Sequence, residues 1–553
     1  MAPLAGLICR ECLNIASGVV KPRLAGEGRF ASRLTGHPDT RRGYDGYLPR
    51  RIVGFPEARC RQRVNPSQPV FTAYFFLRIS MRFLGIDLGT ASLKLAIVDE
   101  DGHERAFASV AYAVTTPFPG WAETPVESWW NALRDAAARL PAREREQVNA
   151  IGFSGQMHGV VVTDENNHAL RPAMLWPDTR ALDLLDAWPA PQPNPVAPGM
   201  AGPLLRWLAV NEPAVMNKTR WALQPKDWLR TALGGEVCTD PSDACATALA
   251  APSGVWDDAL IAEIGLRREW FAPLAPSYAA AGTLNAEGAK LLGLRAGIAL
   301  AVGAGDTACA ALGSGLFADG DALLTTGSGG QIVVVSADAP ASVAGLHAYR
   351  AATDQWYRMA AMQNVGVALE AVRGWLGYTD WPSAYEDAFS APASTHLTFL
   401  PYVSGERSPW MNPAARGGWL GLGLGDTRAT MMRAAFEGVA FALRAGLDAI
   451  RLNSGPSAVV RTLRLAGGGS IDSRWRQLLA DALDADLQAV DCPNAATRGA
   501  AMLGGIALGS WHAADLAVLA PSATLVASPG DDEDLALRHT RFIDLYQRNA
   551  SWF

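Results

Sequence analysis

A strand–glycine turn–strand pattern occurs twice in this chain, and this repetition constrains the fold more than any other feature of the sequence. The first copy, residues 83–98, places apolar runs on either side of the turn sequence Asp-Leu-Gly-Thr. A weaker copy, residues 321–335, surrounds Gly-Ser-Gly-Gly. Two apolar runs joined by a tight glycine turn are typical of a β-hairpin. The pattern therefore predicts two related α/β domains, each beginning with a hairpin.

The segments after each hairpin alternate between strand and helix signals. In the first half, residues 127–140 predict a helix and residues 150–153 a buried strand. In the second half, a strand over residues 462–466 leads into three glycines and then a helix over residues 473–483. A chain of 553 residues is long enough for two cores.

We place the join near residue 318, which predicts an N-terminal domain over 81–318 and a C-terminal domain over 319–553. A cleft between two domains is a common place for a small-molecule site.

Residues 1–80 differ in composition from the rest of the chain. They hold 13 of the 48 basic and 5 of the 54 acidic residues, which gives a net charge of +8 against −14 for the remainder. They also show no sustained helix or strand period. Three explanations fit: an upstream stretch joined by a misplaced start codon with Met81 the true start, a disordered tail, or a targeting or regulatory segment. We expect the first.

Composition excludes several classes of function. A net charge of −6 and a pI near 5.8 argue against a nucleic-acid partner, which usually requires a basic face. The sequence has no run of 18 apolar residues, so we expect no membrane span. Seven scattered cysteines do not suggest a disulfide framework or a zinc site, so we expect reduced thiols in a cytoplasmic protein. The oligomeric state stays open, with a homodimer as one alternative.

The first hairpin carries the chemistry of a phosphate site. It reads Gly85-Ile86-Asp87-Leu88-Gly89-Thr90, followed by Lys94. A phosphate can approach the backbone at Gly89 because glycine has no Cβ. Backbone N–H groups, Thr90 and Lys94 offer donors to a polyphosphate, and Asp87 offers the oxygen ligands that Mg²⁺ prefers. The alternative from these residues alone is an ordinary hairpin turn with a capping Asp.

Two glycine segments in the second half extend this interpretation. Thr325-Thr326-Gly327-Ser328-Gly329-Gly330 suits a second phosphate-facing hairpin, although such clusters usually mark turns. Gly467-Gly468-Gly469 lies between a predicted strand and a predicted helix and suits close approach of a nucleotide. This segment matches neither a dinucleotide fingerprint nor a P-loop.

One carboxylate and one polar loop complete the candidate residues. An apolar strand runs into Gly303 and Gly305 and delivers Asp306, which is suited to accept the proton of a hydroxyl that attacks a phosphoryl group. The alternative is that Asp306 caps the helix that follows. Residues 154–159, Ser-Gly-Gln-Met-His-Gly, suit the lining of a sugar pocket, although a lone His is more often structural.

Taken together, these segments resemble the carbohydrate kinase family that includes glycerol kinase, gluconate kinase and xylulokinase. The resemblance runs from Met81 almost to the end of the chain and implies two actin-like, ribonuclease H-like α/β domains that close on ATP and a sugar. It implies that the N-terminal domain, 81–318, is the sugar-binding domain and that the C-terminal domain, 319–553, is the nucleotide-binding domain. Further motifs that carry it are Pro119-Gly120-Trp121-Ala122-Glu123, Leu175-Trp176-Pro177-Asp178-Thr179-Arg180, Pro225-Lys226-Asp227, Leu400-Pro401-Tyr402-Val403-Ser404-Gly405-Glu406-Arg407 and Arg498-Gly499-Ala500-Ala501.

The resemblance also implies roles for single residues. Asp306 falls on the catalytic base of the family, and Asp87 on the carboxylate that supports metal and activity. The positions implied to face the phosphates or the nucleoside are Gly89, Thr90, Lys94, Thr326, Gly327, Gly467, Gly468 and Gly469. The positions implied to face the substrate are Gln156, Met157, His158 and Asp178. The Gln-Met-His-Gly string is similar to the xylulokinase form, whose Met–His pair contacts the ketose, whereas glycerol kinases carry an Arg–Glu pair there.

The reaction implied is transfer of the ATP γ-phosphoryl group, with Mg²⁺, to O5 of D-xylulose. Two departures from the family pattern leave fine specificity open: Pro177 stands where Asn is common, and the 327–330 turn differs from the usual second hairpin. The alternatives are the same chemistry on another ketose or polyol such as ribulose, a non-catalytic actin-like ATPase, and a ligand sensor with a dead site.

Overall fold

The computed structural model describes residues 81–189, 192–454 and 460–553. The expectations for residues 1–80 therefore lie outside the described residues. Within the described part of the chain, no helix combines the length and apolar character needed to cross a bilayer.

The first half of the described chain is built around one mixed sheet. The strands of this half are β1 (Arg82–Leu88), β2 (Ser92–Asp99), β3 (Glu104–Ala111), β4 (Glu123–Thr124), β5 (Val148–Gly155), β6 (Val161–Thr163), β7 (Ala173–Met174), β8 (Trp221–Leu223), β9 (Ala280–Thr283), β10 (Ala299–Ala301) and β11 (Ala304–Gly305), of which β4 with β7 and β6 with β8 form two small separate sheets. Its helices are α1 (Val126–Arg139), α2 (Ala142–Arg145), α3 (Ala201–Asn211), α4 (Pro213–Met216), α5 (Pro225–Ala232), α6 (Pro241–Cys245), α7 (Asp258–Glu263), α8 (Ala286–Leu292) and α9 (Asp306–Gly313).

The predicted hairpin lies at the centre of this sheet. The strand order is β3-β2-β1-β5-β10-β9, with β11 beside the end of β5. Strands β1 and β2 pair antiparallel from Arg82 opposite Asp99 to Leu88 opposite Leu93. Strands β1, β5 and β10 run parallel. Every residue of β1 is buried, as expected for a strand whose sheet is covered on both faces.

The second half repeats the same arrangement. Its strands are β12 (Ala322–Thr326), β13 (Gly330–Ser336), β14 (His347–Arg350), β15 (Trp356–Met362), β16 (Thr398–Leu400), β17 (Gly418–Leu420), β18 (Thr462–Ala466), β19 (Asp486–Val490) and β20 (Ala523–Ala527). Its helices are α10 (Gly366–Trp375), α11 (Trp381–Ser390), α12 (Arg428–Leu452), α13 (Ser473–Leu483), α14 (Ala495–Ala507) and α15 (Glu533–Asn549).

The two sheets share one topology. In the second sheet the order is β14-β15-β13-β12-β18-β19-β20. A β12–β13 hairpin is flanked by the antiparallel strand β15 on one side and by the parallel strands β18 and β19 on the other. This is the order of β3, β2, β1, β5 and β10 in the first half. The prediction of two related α/β domains is therefore confirmed. The proposed boundary at 318/319 falls between α9 and β12 and stays a prediction.

Helix α14 joins the two halves, because it packs on the first sheet rather than the second. Gly85 on β1 lies under the carbonyl of Thr497, and Gly152 on β5 lies under the carbonyl of Ala500. A Cβ at either glycine would overlap that carbonyl oxygen. Glycine at these two positions therefore lets a helix backbone rest directly on a sheet backbone.

We predict that Gly152→Ala destabilises the protein by about 2 kcal/mol or more, because the new methyl group has no space beneath Ala500. The matched control is Gly374→Ala, since nothing lies within 4 Å of a Cβ at this helical position. The control should stabilise the protein by about 0.5–1 kcal/mol. Chemical denaturation measures both. Equal stability of the two variants would contradict the packing described for α14.

Candidate active site

Three neighbouring parallel strands bring the candidate catalytic residues to one edge of the first sheet. Asp87 on β1 lies beside Ser154 on β5, and Ser154 lies beside Ala304 on β11. Asp306 follows two residues after Ala304. Side chains at the carboxyl ends of parallel strands face a common crevice. The fold therefore brings Asp87 and Asp306 together, although they are far apart in sequence.

Asp87 is buried and held on both carboxylate oxygens. Oδ1 accepts a hydrogen bond from Ser154 Oγ at 2.7 Å. Oδ2 lies 3.5 Å from the Nζ of Lys94, its partner across the hairpin. This separation is long for a charge-assisted hydrogen bond, and the Lys94 side chain is 40% exposed. Lys94 is thus beside Asp87 but free to shift toward an incoming anion.

Asp306 is the first residue of α9, and the helix uses Gly305 as its N-cap without a side-chain capping bond. The capping alternative is therefore not the arrangement seen. Oδ1 accepts from the backbone N–H of Thr307 at 2.6 Å and from its hydroxyl at 3.2 Å. Oδ2 makes no hydrogen bond with any described residue. Burial and the neighbouring charge of Asp87 raise the pKa of Asp306 to about 6.

The loop after β5 packs against Gly305, the residue directly before Asp306. Met157 packs beneath Gly305, where a Cβ would lie 2.7 Å from Met157 Cγ. The Tyr357 hydroxyl, from β15 of the second half, lies 4.0 Å from the Met157 sulfur. Gln156 is buried, and its side-chain amide donates to the carbonyl of Gly89 at 3.2 Å. Gln156 thus connects this loop to the β1–β2 turn.

One ring nitrogen of His158 is hydrogen-bonded to the backbone, and the other has no hydrogen-bond partner among the described residues. Its Nδ1 lies 2.6 Å from the carbonyl oxygen of Ala246, so Nδ1 carries the proton and donates. Nε2 is then an acceptor, and it has no partner among the described residues. Burial lowers the pKa of His158, and the charge of Arg407 lowers it further. The neutral imidazole therefore presents a lone pair, with its backbone held at a φ of 77°.

Unlike His158, Asp178 has both side-chain oxygens bonded to protein groups. Its side chain is fully buried. One oxygen accepts from the backbone and guanidinium of Arg180, both at 2.9 Å, and the other accepts from Ala122 N–H and Arg180, both at 2.7 Å. Glu123 also binds Arg180, at 2.6 Å. In this conformation Asp178 positions Arg180, and the expectation that Asp178 contacts substrate stays a prediction.

Gly89 and Thr90, at the turn of the first hairpin, are partly exposed. The Gly89 carbonyl accepts from the Tyr112 hydroxyl and from Gln156. Thr90 Oγ1 accepts from the indole N–H of Trp176 at 2.8 Å, which leaves the hydroxyl proton available to a ligand. Trp176 itself is 47% exposed. The Gly89 N–H donates to the Ser92 carbonyl at 3.0 Å, so the donor of this turn that remains available is the Thr90 hydroxyl.

The predicted nucleotide residues meet one another in the second half. Gly467 and Gly469 both lie against the backbone of Thr326, and Gly469 N–H lies 3.3 Å from the Thr326 carbonyl oxygen. The Thr326 hydroxyl is buried and shares a hydrogen bond of 2.9 Å with Ser470. Gly327 and the 467–469 glycines, by contrast, are exposed. The N–H groups of Gly327 and Gly469 donate to the carbonyls of Gly329 and Thr326, so neither these two groups nor the Thr326 hydroxyl is an unbonded donor in this conformation.

Reasoning from the sequence assigned no role to two sets of residues that adjoin this site. Arg407 is exposed, and its guanidinium forms no hydrogen bond or ion pair within the described residues. Lys226 and Arg230, in contrast, are buried with Asp227, Asp240 and Asp243 in one ion cluster. Arg407 and Lys226 both lie inside motifs that carry the family resemblance, and these motifs could have identified them as candidates.

Comparisons with known proteins agree with this architecture. Residues 82–313 match the N-terminal domain, and residues 325–508 the C-terminal domain, of the FGGY family of carbohydrate kinases. Xylulose kinase from Escherichia coli is 34% identical over 415 residues, which cover 72% of this chain and 84% of that protein. Xylulose kinase from Staphylococcus epidermidis is 30% identical over 448 residues, which cover 77% and 88% respectively.

Solved structures show the same relationship in three dimensions. A xyloylose kinase from Brucella ovis superposes with a TM-score of 0.79 at 32% identity, covering 85% of this chain and 100% of that chain. Xylulose kinase from Rhodospirillum rubrum superposes with a TM-score of 0.78 at 27% identity, covering 85% and 99%. With both domain models matched, and with the paired sheets and the strand-end carboxylates in place, this chain belongs to the FGGY family of carbohydrate kinases.

Proposed function

We propose that this protein phosphorylates D-xylulose at O5 with ATP, and that Asp306 is the general base. The O5 hydroxyl oxygen forms a bond to the γ-phosphorus as the bond from that phosphorus to the β,γ-bridging oxygen breaks. The hydroxyl proton moves to Asp306 Oδ2, and ADP leaves with the electron pair of the broken bond. The observation that carries this proposal is the free, partly buried Oδ2 of Asp306 beside the Met157–His158 loop.

The donor set near Asp306 fits a divalent cation. Burial and the charge of Asp87 raise the pKa of Asp306, whereas the charge of Lys94 lowers it. Two carboxylates and one lysine give this part of the site a net negative charge. Carboxylate oxygens are also the ligands that Mg²⁺ prefers. Asp87 would hold the ion directly or through water. Bound Mg²⁺ supplies charge neutralisation on the transferring phosphates.

Arg407 supports a ketose as the acceptor. The pKa of Asp306 responds to Asp87 and Lys94, whereas those of His158 and His347 respond to Arg407. The charge of Arg407 acts on both imidazoles, so we place Arg407 beside His158 and His347 in this proposal. A guanidinium offers paired donors to adjacent oxygens. In D-xylulose the C1 hydroxyl and the C2 carbonyl, at the end opposite O5, are such a pair.

A panel of sugars in a coupled ADP-release assay tests the proposed substrate. We expect D-xylulose to give the highest kcat/KM, ahead of D-ribulose and xylitol. In Arg407→Met, KM for the two ketoses should rise by roughly tenfold, the loss of about 1.4 kcal/mol of hydrogen bonding. KM for xylitol, which lacks the carbonyl, should change less. Arg105→Met, on the exposed strand β3, is the control. A wild-type preference for a polyol would overturn the ketose assignment.

Removal of the proposed base should affect chemistry without affecting the fold. Asp306→Asn keeps the shape of the side chain but cannot take the proton, so we expect kcat to fall by about 10²–10⁴-fold. The KM for ATP should stay within about twofold of wild type. The matched control is Asp258→Asn, which also alters the first residue of a helix but lies 73% exposed. Turnover near normal in Asp306→Asn would rule out the assigned role.

The pH dependence provides a separate check. Asp306 is active as the carboxylate, so kcat/KM for the sugar should decline tenfold per pH unit below pH about 6. Neither nearby histidine explains such a limb, because burial lowers the pKa of His158 and lowers that of His347 to about 3. The residual rate of Asp306→Asn should lack the acid limb. A limb that persists in this variant would assign it to another group.

A further inference from the structure

A buried lysine lies beneath the sugar-facing loop and is surrounded by three carboxylates. Lys226 Nζ is 2.8 Å from Asp227, 3.0 Å from Asp240 and 3.0 Å from Asp243. All four side chains are at most 1% exposed. Burial alone would lower the pKa of Lys226, but the three carboxylates outweigh burial and raise it. Lys226 is therefore a fixed positive charge in the interior.

Lys226 is also fixed in position by close backbone packing. It is the second residue of α5, and its Cβ would lie 2.8 Å from a Cβ at Gly155. Gly155 is the last residue of β5, immediately before Gln156, Met157 and His158. The ammonium group is thus anchored to the same strand end that carries the sugar-facing loop.

Two of the three carboxylates belong to one short helix. Asp240 is the N-cap of α6 and Asp243 lies within it, so Lys226 holds α6 by two ion pairs. Removing the Lys226 ammonium would leave the α6 carboxylates without their buried cation, which is strongly unfavourable. The position of α6 relative to β5 is therefore tightly determined.

Helix α6 in turn contacts both residues proposed to act on the sugar. Ser242 Oγ accepts a hydrogen bond of 3.0 Å from the backbone N–H of Gly305, the N-cap residue directly before Asp306. Ala246, which ends α6, accepts the Nδ1 proton of His158 at 2.6 Å. One helix thus holds the backbone that carries the base and selects the ring tautomer that leaves His158 Nε2 free.

We infer that Lys226, Asp240 and Ser242 are positioning residues for phosphoryl transfer, acting through α6 on Asp306 and His158. Their side chains are buried, so we expect them to act without touching sugar or nucleotide. Their effect is to fix the base and the acceptor nitrogen within one rigid unit, because small displacements of reacting groups lower rates steeply. This inference rests on the proposed role of Asp306.

Two serines provide a matched test. Ser242 and Ser277 both donate to the same oxygen of Asp240, at 2.5 Å and 2.8 Å. Ser242 Oγ also accepts from Gly305 N–H, whereas the Ser277 side chain has no such link to the base. Ser242→Ala and Ser277→Ala therefore remove comparable bonds to the ion cluster, but only Ser242→Ala releases the backbone before Asp306.

We expect Ser242→Ala to lower kcat by roughly tenfold or more, with KM for ATP within twofold of wild type. Ser277→Ala should stay within twofold of wild-type kcat, with a similar loss of thermal stability. Equal kcat in the two variants would overturn the inference, since it would show a purely structural role. If Ser242→Ala does not fold, Ser242→Cys keeps the shape of the side chain, with a larger atom and a weaker hydrogen bond, and should give the same split.

The assay uses whichever sugar gives the highest wild-type turnover. Failure of D-xylulose in the panel would then overturn the proposed substrate without affecting the comparison of the two serine variants. Conversely, a normal kcat in Ser242→Ala on that sugar would overturn the positioning role while leaving the proposed substrate intact.

Discussion

The structure depends on a close contact between backbones: helix α14 of the second half rests on strands β1 and β5 of the first. This contact requires glycine beneath the helix, because a Cβ at Gly85 or Gly152 would overlap a carbonyl oxygen of α14. Buried interfaces at this separation gain dispersion contacts along the whole length of the helix. Asp87 and Ser154 lie opposite each other near the carboxyl ends of these two strands. The packing that joins the halves therefore also supports the edge of the sheet where the carboxylates meet.

The chemical properties of the residues at this edge follow from their charge and burial. Asp306 has one oxygen bonded to Thr307 and one without a hydrogen bond to any described residue, and burial together with the charge of Asp87 raises its pKa above that of an ordinary aspartate. A base with a pKa near 6 is ionised at neutral pH yet still binds a proton with useful affinity. The neutral His158, and Arg407, whose guanidinium has no hydrogen bond within the described part of the chain, add an acceptor and a donor on the side where we propose that the sugar binds. The site thus combines opposite hydrogen-bonding roles, as recognition of a polyhydroxy ligand requires.

Local patterns in the sequence predicted the parts of this structure that depend on short-range chemistry. Both hairpins, the helices near residues 127–140 and 473–483, and the family membership were visible, because turn glycines and apolar periods act over a few residues. The contact of α14 with the first sheet was not predicted, although the small residues 499–501 in one of the family motifs are consistent with close packing. The cluster around Lys226 was also missed, since only the tertiary fold brings Asp240 and Asp243 to that lysine. For Asp178, the motif identified the residue but not the direction of its side chain, which points to Arg180.

The central claim is that Asp306 lies against the hydroxyl that becomes phosphorylated. A crystal structure of the complex with D-xylulose and a non-hydrolysable ATP analogue tests this most directly. The account predicts the O5 oxygen within about 2.6–3.2 Å of Asp306 Oδ2, with the γ-phosphate on the opposite side of O5. A sugar bound with O5 away from Asp306, or with another described side chain in contact with that hydroxyl instead, would contradict it.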